Sequence, residues 1–178
     1  MIRLFTGLEI PEEVGRLLAG LRGGLHGARW IGPENYHITL RFIGDIDGRT
    51  AEEVAEALSR VRRPGVAVRL SGLDAFGGAR PHALWARVEP SPALTELQAE
   101  HERVLQRLGL PGEGRKYTPH LTMARLRGTS AAEVARWLAL NGGFSLPPFV
   151  ADRFVLFSAR AAVGGGPYLV EEAFPLTA

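Results

Sequence analysis

The chain has 178 residues, enough for one compact domain with a hydrophobic core, and carries a formal net charge of +2 at pH 7. Apolar residues make up 46% and charged residues 22%, the balance of a soluble folded protein and not of a disordered one. The chain has no cysteine, which excludes disulfides, thiolate metal sites and a cysteine nucleophile. No apolar run approaches the about 18 residues of a membrane span, and the N-terminus lacks a signal-peptide pattern; a cytoplasmic protein is expected.

In chain order, residues 2–10 alternate as a strand, and "PEEVGRLLAGLRGGL" reads as a helix with Pro11 in its first turn and an apolar stripe of Leu17, Leu18 and Leu21. "ARWI" is a short strand before the turn "GPEN", and residues 36–43 form a strand closed by "GDIDG". "TAEEVAEALSRV" has helical spacing, with Thr50 and Glu53 as its expected capping box. "GVAVRLSGLDAF" reads as one strand, "HALWARV" as the next, and residues 92–108 as a long amphipathic helix carrying Leu94, Leu97, His101, Val104, Leu105 and Leu108. After the loop "GLPGEGRK" come a strand at 119–126 and a helix opening on a Ser130–Glu133 capping box. "RFVLFSAR", "GGG" and "PYLVEEAFPL" close the chain as a hairpin or strand pair.

Two of these strands repeat one figure. "YHITLRFIG" and "YTPHLTM" each carry His-apolar-Thr-apolar, with the histidines 83 residues apart at His37 and His120. Each strand is followed by a turn and a capped helix, so the chain reads as two related α+β halves. The period is too long for a solenoid.

Residues i and i+2 of a strand share a face. His37 therefore projects with Thr39, and His120 with Thr122, while Ile38, Leu40 and Phe42 on one strand and Leu121 and Met123 on the other point to the core. Two imidazole–hydroxyl pairs facing one groove would surround a small anion, the hydroxyls donating to phosphoryl oxygens. This arrangement suits metal-free cleavage of a phosphodiester, one neutral histidine taking a proton from water and the other, protonated, giving one to the leaving alkoxide. No HExxH, no G-x-S-x-G elbow and no phosphate-binding glycine fingerprint offers a competing chemistry.

The basic residues are lopsided, 20 of the 21 being arginine and one Lys116. A genomic bias toward G and C accounts for that as well as function does, although an arginine-rich surface is compatible with RNA or nucleotide ligands. Strict alternation puts Arg125 on the face of Leu121 and Met123, so a bulge would have to re-aim it toward phosphate. Arg41 shares the face of His37 and Thr39, as a phosphate contact or a solvated charge. Phe76, Tyr117 and Trp85 are aromatic candidates for stacking a base or for ordinary packing, and Lys116 for a backbone contact. His26, His82 and His101 lack a threonine two places on and read as structural or surface residues.

These motifs resemble the 2H phosphoesterase superfamily, and within it the RNA 2′,3′-cyclic phosphodiesterases first described as 2′-5′ RNA ligases. The similarity runs nearly end to end, through "RLFTGLEIPEEV", "RWIGPENYHITLRFIGDID", "LWARVEP", "YTPHLTMAR", "DRFVLFSAR" and "YLVEEAFPL". The resemblance implies an α+β fold of pseudo-two-fold symmetry, with two antiparallel sheets flanking a central cleft, helices outside, and residues 1–178 forming a single domain of two intertwined lobes. It implies hydrolysis of an RNA terminal 2′,3′-cyclic phosphate to a 2′-phosphomonoester without metal or other cofactor, with weak reverse 2′-5′ ligation as an accompaniment. By motif position, His37 is the implied proton donor, His120 the proton acceptor, and Thr39, Thr122 and Arg125 the phosphate ligands. Implied partners are RNA ends or nucleotides bearing the cyclic phosphate, with no membrane and a monomeric chain. Action on small cyclic or 2′-5′-linked nucleotides, and nucleotide binding without turnover, remain alternatives. Tyr36 departs from the more usual aliphatic residue and faces away from His37, so its expected effect is on packing.

Overall fold

A computed structural model describes residues 1–159 and 166–177. Strand β1 (Ile2–Glu9) leads into helix α1 (Glu12–Ala19), and β2 (Ala28–Trp30) with a 3-10 turn (Pro33–Asn35) precedes β3 (His37–Ile46) and α2 (Gly48–Leu58). There follow β4 (Val66–Val68), β5 (Leu70–Phe76), β6 (Ala83–Val88), α3 (Pro92–Arg107), β7 (His120–Leu126), α4 (Ala131–Asn141), β8 (Phe149–Ala151), β9 (Arg153–Ala159) and β10 (Tyr168–Pro175). The fold is α+β. Two four-stranded antiparallel sheets have the orders β10-β9-β1-β3 and β2-β7-β6-β5, and β4 pairs β8 in a small third sheet.

The halves are related through their order of elements. β1-α1-β3-α2 is followed by β5, and β6-α3-β7-α4 by β9. Each of those last strands crosses to the other half's sheet: β5 pairs β6, and β9 pairs β1. The motif strands β3 and β7 thus occupy matching positions beside β1 and β6. Helix α3 lies against β3, where Leu94, Leu97, Val104 and Leu105 are buried, and α4 lies against β5. His101, fully buried on the α3 stripe, is 2.8 Å by Nδ1 from Thr6 Oγ1 on the inner face of β1.

Several boundaries differ from those read in the sequence. Helix α1 stops at Ala19, ahead of the Gly-rich segment, and it buries Val14 and Leu18 while leaving Leu17 half exposed. The helix of the first half is capped by Asp47, which accepts from Thr50 N at 2.7 Å, and no Thr50–Glu53 box forms. That correction tightens the repeat. Asp47 lies ten residues after His37, as Ser130 lies ten after His120. The Ser130–Glu133 capping box is present, with bonds of 3.1 and 2.7 Å, a device that contributes about 1 kcal/mol.

Residues 65–76 are two strands and not one, because Val66–Val68 pairs β8 while Leu70–Phe76 joins β6 with a register shift at the positive-φ Gly72. β8 carried no sequence signal of its own. The turn at residues 164–166 falls largely outside the described residues. Among the described residues no helix is long and apolar enough to cross a membrane.

Candidate active site

His37 opens β3 and His120 opens β7, and each ring is held by the same local bond. His37 Nδ1 lies 3.0 Å from the carbonyl of Asn35, and His120 Nδ1 lies 2.7 Å from the carbonyl of Thr118. A carbonyl can only accept, so each ring donates from Nδ1, and each neutral ring carries its lone pair on Nε2. Thr39 Oγ1 is 3.1 Å from His37 Nε2, placing the threonine hydroxyl as donor to that lone pair. The two rings share one electrostatic environment: a charge on His120 depresses the basicity of His37.

Aromatic rings wall each histidine. His37 lies 4.8 Å from Phe5, 4.9 Å from Tyr168 and 5.6 Å from Phe157 between ring centroids. His120 lies 5.0 Å from Phe76 and 5.7 Å from Trp85. Phe157 pairs Phe5 across β9 and β1, and Phe76 pairs Ala83 across β5 and β6, so Phe157 and Phe76 are counterparts in the two sheets. Beside Thr39, a side chain on Gly7 would sit 2.8 Å from the Ile38 carbonyl and 3.3 Å from Phe157. Glycine lets these groups close up there.

Burial is the main cause that pulls His37 down from its ordinary value to about 4; the Asn35 bond opposes it, and the charges of His120 and Arg125 add to it. His120 is lowered by burial first, against its bond to Thr118, and then by Arg125. Both imidazoles are therefore neutral near pH 7 in the free protein.

Arg125 reaches this site because β7 is bulged. The register passes from Trp85↔Thr122 to Leu84↔Ala124, leaving Met123 as the extra residue. Met123 and Ala124 both turn inward, fully buried, and Arg125 emerges on the face of His120 and Thr122. The same bulge occurs at the matching place in β3, where Gly7↔Thr39 is followed by Thr6↔Arg41 with Leu40 extra.

That second bulge overturns two expectations. Arg41 does not share the face of His37 and Thr39: it is 7% exposed and bonds Glu102, with further bonds to the carbonyls of Phe42 and Pro111. Phe42 does not enter the core and is 51% exposed.

Of the other residues singled out, Phe76 is half-buried at the site, with Trp85 stacked behind it at 4.8 Å and buried. Tyr117 donates its hydroxyl to the Thr39 carbonyl at 2.8 Å. Tyr36 is buried and packs near Gly15, as expected for a residue facing away from His37. Lys116 and His82 are exposed, and His26 is exposed 3.5 Å from Glu133. Phe5, Phe157 and Tyr168 were not anticipated, since they reach His37 from strands whose adjacency is tertiary. Among the described residues no group of three or more His, Asp or Glu side chains is arranged to hold a metal ion.

Two bulged strands, each presenting a histidine and a threonine from one of two symmetry-related sheets, define a 2H phosphoesterase. The chain belongs to the LigT-like phosphoesterase family, whose model matches residues 8–85 and 87–168. An Aeropyrum pernix protein named RNA 2′,3′-cyclic phosphodiesterase is 38% identical over 53% of this chain and 55% of its own length. A Thermotoga maritima protein of the same name is 29% identical over 95% of this chain and 92% of its own length. The crystal structure of E. coli LigT complexed with 3′-AMP has the same fold, with a TM-score of 0.78, 22% identity and 99% of both chains covered.

Proposed function

We propose that the protein hydrolyses RNA terminal 2′,3′-cyclic phosphates to 2′-phosphomonoesters by acid–base catalysis between His37 and His120, with no metal. Relatives named RNA 2′,3′-cyclic phosphodiesterase support the reaction class. The observation that carries the mechanism is the matched pinning of both rings through Nδ1, which leaves two Nε2 atoms available for proton transfer.

In this reading a water oxygen attacks phosphorus while His120 Nε2 takes its proton. The bond from phosphorus to O3′ breaks, and His37 gives its Nε2 proton to the departing oxygen. The product is a 2′-phosphate and a free 3′-hydroxyl, and reversal of the proton roles resets the pair. His37 needs a proton that it lacks in the free protein, and the anionic phosphate supplies the field that recruits it. Once His37 is protonated, the Thr39 hydroxyl no longer has a lone pair to serve and turns to a phosphoryl oxygen. Thr122 is the corresponding donor on β7, and Arg125 pairs with the remaining phosphoryl charge. Each proton transfer contributes about 10²–10⁴ in rate.

The two motifs lie on one chain and their sheets exchange strands, so we take residues 1–178 as a single catalytic domain acting as a monomer. A cytoplasmic location belongs to the same proposal and rests on the cysteine-free composition. The test is an EDTA-treated protein offered an oligonucleotide ending in a 2′,3′-cyclic phosphate, with His37→Ala and His120→Ala as controls. Expected are a 2′-phosphate product, loss of activity in both variants and a bell-shaped pH profile. Activity that needs metal, or survives both substitutions, overturns the mechanism.

A further inference from the structure

We infer that Tyr117 is a positioning residue that sets the separation of the two histidines. The inference rests on the two-histidine reading of the site. Residues 108–119, between α3 and β7, carry no helix or strand, yet they deliver His120 to the site. A segment of that length without internal structure has no stiffness of its own. It is anchored to the rest of the fold at successive points. Arg41 donates to the Pro111 carbonyl, and the Glu113 amide donates to Glu102 Oε1 at 2.7 Å. Both anchors lie early in the segment, seven or more residues before His120.

Tyr117 is the anchor next to the chemistry. Its backbone lies three residues before His120, and its hydroxyl donates across to the Thr39 carbonyl at 2.8 Å. β3 is the edge strand of its sheet, and a carbonyl on the outer side of an edge strand has no ladder partner. The phenol fills that position. An unbroken series of bonds then joins the two rings: His37 Nε2 to the Thr39 hydroxyl, the Thr39 carbonyl to Tyr117, and the neighbouring Thr118 carbonyl to His120 Nδ1. Burial raises the pKa of the Tyr117 hydroxyl well above its ordinary value, so the donor keeps its proton throughout the working pH range. Because the motif strands belong to different sheets, no shared ladder measures the gap between them. The two strands pack against each other, and Tyr117 adds a directional bond between β3 and the chain entering β7.

A gauge of this kind acts on proton transfer, which depends on sub-ångström placement, more than on phosphate affinity, which depends on Thr39, Thr122 and Arg125. The test is Tyr117→Phe, which keeps the ring and removes only the donor, with Tyr117→Leu as a second variant. Assays on a cyclic-phosphate oligonucleotide run well below each variant's Tm. Expected in Tyr117→Phe is a fall in kcat of about 10–100-fold with KM within about twofold, and a larger fall in Tyr117→Leu. The His37 and His120 titrations, followed by NMR, are expected to move up toward ordinary imidazole values as the site loosens. Wild-type kcat and unchanged titrations in Tyr117→Phe overturn the inference, even if Tm drops, because the tyrosine is then structural only. A wild-type protein inactive on every cyclic phosphate overturns the proposed function instead, and the NMR titrations still decide the role of Tyr117.

Discussion

Phe42 and Arg125 occupy one position in the two halves of the molecule. Each lies five residues after its histidine, each follows a bulge three residues after that histidine, and they pair Phe5 and Ala83 on the equivalent strands β1 and β6. One half thus places an exposed aromatic ring where the other places a guanidinium. The site is symmetric in its proton carriers and asymmetric in what surrounds them.

That asymmetry makes Arg125 the cation whose removal should be felt at both histidines. Its charge lowers His37 and His120 alike, so Arg125→Gln is expected to raise both titrations and shift the acid limb of the pH–rate profile upward. Loss of a charge-assisted phosphate contact should raise KM by about 10- to 100-fold, from the about 1.5–3 kcal/mol typical of such bonds. Arg125→Lys should recover the titrations more than the affinity, because lysine lacks the planar fork. Phe42→Leu serves as control and should leave both titrations unchanged. NMR titration with steady-state kinetics checks each point.

Anion binding should draw a proton into the empty site. His37 is held near 4 by burial and neighbouring positive charge, and a bound dianion stabilises its charged form against both. Sulfate keeps its charge from pH 5 to 8, so its affinity is expected to tighten as pH falls across that range. Calorimetry in buffers of different ionisation enthalpy should show proton uptake, smaller in His37→Gln, where His120 alone is left to take it. Affinity independent of pH would remove the coupling between phosphate and the proton donor.

The Arg41–Glu102 pair should be a stability element and not a catalytic one. Arg41 is buried, and its guanidinium serves Glu102 and two carbonyls. Arg41→Met leaves the Glu102 carboxylate without its cation, although Gln106 and the Glu113 amide still serve it, and is expected to cost about 1.5–3 kcal/mol in urea unfolding. Adding Glu102→Leu should recover part of that loss, since the unpaired charge goes with it. A single variant as stable as wild type would contradict this.

His101 should make the fold acid-sensitive. Burial holds it at about 3, against 6.5 for a free imidazole, so between those values the unfolded chain binds a proton that the folded chain refuses. Stability is then full above about pH 6.5 and falls as pH drops toward 3, with a slope of up to about 1.4 kcal/mol per pH unit. His101→Gln should flatten that slope while costing stability at neutral pH. Denaturant midpoints between pH 4 and 7.5 measure both effects.

The site was legible in the sequence to the extent that period-2 alternation is a local property. His37 with Thr39, and His120 with Thr122, could be placed on common faces from spacing alone, and Ser130 could be placed as a cap. Alternation failed three residues after each histidine. A bulge is a mismatch between two strands, and neither strand's own letters record its partner's register. Hence Arg41 and Phe42 exchange their expected faces, and Arg125 gains the one it needs. The Asp47 cap escaped for a smaller reason: Thr50 and Glu53 offered a competing pattern, and only backbone geometry decided between them.

By itself the sequence determined the chemistry-bearing groups and the rigid strands that hold them, because residue type and strand period suffice for both. Only the tertiary structure decided what the groups face. The exchange of β5 and β9 between sheets brings Phe157 to His37 and Phe76 to His120. The bulge in β7 brings Arg125 to both rings, and a phenol from a loop joins two sheets that share no ladder. Those relationships join residues distant along the chain, and the physical quantities that set them, register, burial and the field of a neighbouring charge, exist only once the chain has folded.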